Sequence, residues 1–130
     1  MVTAPLVTDN IQHGREVLDL LKQADFDVNA ALWWYSPESE QWTLLIATNS
    51  VETSGPAASY RKLQEALRGE QKKGIYLTEP SISLIEPKHP LLSILRDYFA
   101  VRHDHPIRNT RINQNIINGY AIEGAYVYCL

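Results

Sequence analysis

The stretch V-N-A-A-L-W-W-Y-S-P-E-S-E-Q-W-T-L-L-I-A-T, residues 28–48, restricts the fold more than any other part of the chain. Two runs of aromatic and aliphatic residues flank Ser36-Pro37-Glu38-Ser39-Glu40, a turn-forming cluster, so the spacing predicts a hairpin of strands 28–35 and 41–48. Alternation sends Val28, Ala30, Leu32 and Trp34 to one face and Ala31, Trp33 and Tyr35 to the other. The returning strand sets Trp42, Leu44 and Ile46 against Thr43, Leu45 and Ala47, so neither face is polar. Such a pair belongs in the middle of a sheet, with helices on one side and more protein or a partner subunit on the other. Leu32 and Trp34 are assigned to the core, and Trp33 and Tyr35 to the surface that a partner would cover.

The remaining elements follow from apolar spacing and punctuation. Ile11, Val17, Leu18, Leu20 and Leu21 form a helical stripe over about 10–24, opened by an Asp9–Gln12 capping box and interrupted by Gly14. Ser54-Gly55-Pro56 opens a second helix to Arg68, with a narrow stripe of Ala57, Tyr60, Leu63 and Leu67 and a stop at Gly69. Ile75 to Thr78 and Ser81 to Glu86 read as short strands. Pro90 opens a third helix that is apolar except for Ser93, Arg96 and Asp97. Two final strands meet at Asn118-Gly119, a dipeptide that accepts positive φ at both positions, and Glu123-Gly124 marks a candidate bulge. The order predicts one α+β domain over residues 1–130: a five- or six-stranded antiparallel or mixed sheet with three helices mostly on one face. Expected core residues are Leu18, Leu21, Leu32, Trp34, Leu44, Ile46, Leu63, Leu67, Leu84, Leu91, Leu95 and Phe99.

Composition narrows the functional classes. A chain of 130 residues buries enough surface to fold without disulfides or a structural metal, and its single Cys129 cannot form an internal bridge. With no signal-peptide pattern in Met1 to Asn10 and no apolar run of roughly 20 residues, a cytoplasmic location without a membrane span is expected. No phosphate loop, dinucleotide fingerprint, serine elbow or H-E-x-x-H is present, so no cofactor is implied.

The segment from Arg102 to Arg111, R-H-D-H-P-I-R-N-T-R, is the leading site candidate. The first 60 residues carry a net charge of −6 and the rest +3, so this segment lies in the basic half. Arg102, Arg108 and Arg111 would bind an anion, and His103 or His105 would exchange a proton near neutral pH, chemistry suited to phosphate or RNA and to metal-independent RNA cleavage. Pro106 and the spacing of like charges predict an exposed loop more mobile than the helix before it. His103 and His105 alone are too few to hold a metal, and His89, Asp104 and Cys129 are not spaced to join them, so no metal is expected. Glu86-Pro87-Lys88 imitates the E-x-K of metal-dependent nucleases, but its proline interrupts the strand.

Trp33, Trp34, Tyr35 and Trp42 have Glu38 and Glu40 beside them rather than basic residues, which favours packing or a protein interface over base stacking. The block from Ala30 to Thr48, with Tyr60-Arg61-Lys62-Leu63-Gln64 and the terminal run Asn118 to Tyr128, resembles small uncharacterised bacterial proteins of about this length. That resemblance implies a stand-alone bacterial cytoplasmic domain and carries no activity, cofactor or site residue. The preferred expectation is therefore a non-enzymatic interaction protein, homodimeric or engaged with another protein. The alternative is a phosphate- or RNA-binding protein, extending to a metal-independent ribonuclease, that uses residues 102–111.

Overall fold

The computed structural model describes residues 8–36, 38–68, 82–102, 108–117 and 120–130. Helix α1 (Thr8–Gln23) leads to strands β1 (Ala30–Ser36) and β2 (Gln41–Ala47). A one-turn helix α2 (Ser50–Thr53), helix α3 (Pro56–Arg68) and strand β3 (Ile82–Ile85) follow. Helix α4 (Pro90–Arg102) and the hairpin β4 (Arg108–Ile117) and β5 (Tyr120–Cys129) complete the chain. The five strands form one open mixed sheet in the order β3-β2-β1-β5-β4. The predicted hairpin lies at its centre, with Trp33 opposite Leu44 and Trp34 opposite Thr43. All pairs are antiparallel except β2 with β3, which run parallel because the α2–α3 crossover separates them. The α+β class is as expected. The strand read at Ile75 to Thr78 lies outside the described residues.

The sheet is packed on both faces. On one face, Ala31, Trp33, Leu44, Ile46, Ile82 and Leu84 meet Val17 and Leu21 of α1 and Leu63 of α3. On the other, Ala30, Leu32, Ala47, Ala125 and Val127 meet Leu91, Leu92 and Leu95 of α4. Two of the three long helices thus share a face. Helix α4 exposes Ser93, Arg96 and Asp97, the polar stripe read from its sequence.

Local chemistry sets the element boundaries. Asp25 adopts φ 56° after α1, so the Phe26 N–H donates to the Leu21 carbonyl at 2.8 Å and the Asp25 N–H to that of Lys22 at 3.2 Å. This is the left-handed helix stop usually given to glycine, sealed by Phe26 packing in the same core as Leu21. Helix α1 begins at Thr8, so Asp9 lies inside the helix rather than at the capping position assigned to it. The outer edge of β3 is closed by Tyr60 of α3, whose hydroxyl accepts the Leu84 N–H at 2.9 Å.

One local expectation is corrected. The β5 irregularity is not at Glu123-Gly124, where Asn113 pairs with Gly124 and Trp34 with Ala125 in register. It falls where Ala31 pairs with Cys129 but Leu32 with Val127, leaving Tyr128 as the extra residue. Gly124 instead makes room for a ring: a Cβ there would stand 2.9 Å from Cη2 of Trp42. The turn at Asn118-Gly119 lies outside the described residues, although Ile117 and Tyr120 pair on either side of it.

Candidate functional site

The assignment of β1 made from sequence holds for Leu32, which is fully buried, and fails for its three aromatic residues. Trp33 and Tyr35, expected on a contact surface, are 1% and 3% exposed. Trp33 lies in the core shared with α1 and α3, and Tyr35 packs against Trp42 with ring centroids 5.3 Å apart. Trp34, expected in the core, is the partly exposed one. The reason is helix allocation. Among the described residues, two helices cover the Trp33 face, whereas only α4 covers the Trp34 face and it packs toward β4. Strand pairing therefore leaves a half-buried strip across β1, β2 and β3: Trp34 beside Thr43, Leu45 beside Ser83, then Ile85 beside Ala47. None of the strip's five half-buried side chains is charged.

Where it is described, the segment expected to be a free loop is secondary structure. Arg102 ends α4, while Arg108 begins β4 opposite Cys129 and Arg111 stands in β4 opposite Tyr126. Only 103–107, containing His103 and His105, fall outside the described residues, as do the side chains of Arg102 and Arg108. Of the five candidates, Arg111 is the one with a described side chain. It is exposed, and its guanidinium carbon lies 5.8 Å from the Tyr126 ring centroid, a cation–π distance.

Arg111 is joined by a residue that sequence reasoning missed. Arg15 projects from α1 and donates to the Tyr126 hydroxyl at 3.5 Å and to Oδ1 of Asn109 at 3.3 Å. Asn109 holds φ 51°, a left-handed conformation that asparagine tolerates better than most residues. Nothing in the sequence points to Arg15, an isolated base in the acidic half and 94 positions from Asn109. Its partners become visible only when α1 crosses the C-terminal hairpin.

Beside this group lies a buried polar lock. The Tyr128 hydroxyl accepts a hydrogen bond from Nε1 of Trp33 at 2.8 Å and donates to the Ile11 carbonyl at 2.6 Å. Burial pushes the Tyr128 pKa up to about 12, outweighing the opposing influence of the Trp33 hydrogen bond. The phenol is therefore neutral at physiological pH and serves structure rather than acid–base chemistry. Gly14 admits the lock. A Cβ on Gly14 would overlap the Tyr128 hydroxyl oxygen and stand 2.8 Å from Nε1 of Trp33. The glycine that interrupted the predicted helical stripe is thus a point of close approach between α1 and the sheet.

The other chemical candidates resolve into local structure. Nδ1 of His89 accepts the Leu91 N–H at 3.2 Å at the start of α4. Glu86-Pro87-Lys88 forms the turn between β3 and α4, with Glu86 and Lys88 exposed and the Pro87 carbonyl accepting from Arg96 at 3.4 Å. Among the described residues, no three His, Cys, Asp or Glu side chains converge to hold a metal, and no helix is long and apolar enough to cross a membrane. Comparisons with protein families, curated proteins and solved structures found no match to the chain.

Proposed function

We propose that the protein is a non-enzymatic interaction module that acts as a homodimer through the Trp34–Leu45–Ile85 strip of the sheet. The observation that carries this reading is unequal helix cover. Over the Trp33 face α1 and α3 cover Ala31, Trp33, Leu44 and Ile46 and leave Trp42 and Tyr126 half-buried, while across the other face α4 leaves five adjoining uncharged side chains half-buried. A two-fold axis through the strip would set each such side chain against an equally neutral one, with no like-charge repulsion to overcome. Covering indole and aliphatic surface from both subunits supplies the driving force. The single Cys129 fits a protein working in a reducing compartment such as the cytoplasm.

Sedimentation equilibrium from about 1 to 200 μM tests the reading, since a dimer of micromolar or tighter Kd must populate over that range. Leu45→Asp should yield a monomer with unchanged far-UV circular dichroism. A parent chain that stays monomeric at the top of the range refutes homodimerisation. A Leu45→Asp variant that remains dimeric refutes this face.

A further inference from the structure

We propose that Arg15, Arg111, Tyr126 and Asn109 form a binding site for a small phosphate-class oxyanion. The site lies where α1 crosses the β4–β5 hairpin, on the opposite sheet face from the Trp34 strip. Its central observation is the environment of Arg15. An arginine guanidinium carries five N–H donors in a planar fork suited to oxyanions. Arg15 spends them on two neutral oxygens, Asn109 Oδ1 at 3.3 Å and the Tyr126 hydroxyl at 3.5 Å, both at the long end of hydrogen bonding. No carboxylate among the described residues pairs with it. Glu16, the next acid along α1, instead accepts from Gln12 at 3.5 Å.

A second cation approaches the same tyrosine. Arg111 lies over the Tyr126 ring, while Arg15 lies at its hydroxyl, so one side chain positions two positive groups contributed by different elements. The Tyr126 ring is itself braced edge-on by Tyr128 at 5.2 Å. An anion bound beside Tyr126 would be attracted by both guanidiniums. The Tyr126 O–H and the Asn109 side-chain amide add neutral donors from other directions. Donors arriving from several directions suit a tetrahedral dianion better than a planar carboxylate, which one arginine fork already satisfies. With a net charge of −3 and two arginines rather than a basic stripe, the site fits a single phosphate group better than a nucleic-acid backbone.

The test is amide and arginine Nε–Hε NMR of the full chain titrated at low ionic strength with inorganic phosphate, with acetate and with a short oligouridine. Phosphate should shift signals of Arg15, Asn109, Arg111 and Tyr126 with a Kd of about 1–10 mM, and acetate should bind roughly tenfold more weakly. Arg15→Gln should weaken phosphate about fivefold or more, and the Arg15→Gln, Arg111→Gln double variant should abolish the local shifts. Both side chains are exposed, and the same spectra report whether each variant is folded. No local shift by about 20 mM phosphate overturns the proposal, as does a double variant that binds like the parent or acetate that binds equally well. Oligouridine shifts spreading well beyond these four residues, with a salt dependence of several phosphates, would also overturn it by assigning the surface to RNA.

Discussion

Replacing Gly14 by alanine sets two physical effects against each other, and the structure decides the sign. In an exposed helix interior the change stabilises by about 1 kcal/mol, because glycine has the greater backbone entropy to lose. At Gly14 the new methyl would overlap the Tyr128 hydroxyl oxygen and lie 3.0 Å from its Cζ and 2.8 Å from Nε1 of Trp33. Tyr128 is in the core and Trp33 is fully buried, so neither ring has free space to retreat into. Either the tyrosine moves, losing its bonds to Trp33 and Ile11 at about 1 kcal/mol each, or α1 lifts and opens the packing of Val17 and Leu21. Overpacking of this kind costs about 1–3 kcal/mol against the helix gain of about 1 kcal/mol, so the expected net effect is a destabilisation of up to about 2 kcal/mol, or up to roughly 7 °C in Tm for a chain of this length. Urea unfolding followed by tryptophan fluorescence measures it. Pairing with Tyr128→Phe removes the overlapping oxygen, so the double variant should lose about 1 kcal/mol less than the two single losses combined. A Gly14→Ala protein more stable than the parent, or strictly additive losses, would refute the close-approach account.

Three further outcomes are expected. Because the Tyr128 pKa lies at about 12 rather than the ordinary 10.0, its contribution to stability is fully present below about pH 10 and is lost as pH rises toward 12. Tyr128→Phe should be destabilised by about 1–3 kcal/mol at pH 7, from the orphaned Trp33 N–H, and should lose the alkaline decline traceable to Tyr128; an unchanged alkaline limb would contradict the assignment. Tyr60→Phe should leave the fold intact but free the outer Leu84 N–H, with faster hydrogen exchange at Leu84 and a loss of about 1 kcal/mol in chemical denaturation. Asp25→Gly should stabilise by about 0.5–1 kcal/mol, since the residue holds φ 56° at the end of α1, and a loss of stability would show that the Asp25 side chain matters more than its backbone.

Those sites were unequally legible beforehand. Pro56 and Pro90 open α3 and α4 as read, because a proline at the first helical turn acts locally through its fixed φ and missing N–H. Strands β1 and β2 fall where alternation and the intervening turn place them for the same reason. The role of Gly14 was not legible, since a helical glycine looks alike whether it faces solvent or a tyrosine more than a hundred residues away. Arg15 was hidden similarly, and Arg111 stood out because several bases cluster in its neighbourhood of the sequence.

By itself, then, the sequence determined what the long helices and the central strands are, through periodicity, turn chemistry and the extent of their apolar residues. It also determined that β1 and β2 must be central, because a strand pair apolar on both faces has nowhere else to lie. Only the tertiary structure decided which face each helix covers. Alternation in β1 is symmetric between Trp33 and Trp34, and the choice rests on α1 and α3 packing together on one side while α4 packs on the other. That choice buries Trp33, leaves Trp34 half-buried and brings Arg15 to Tyr126. Contacts between residues so distant along the chain depend on helix placement over the whole sheet, a property that no local pattern encodes.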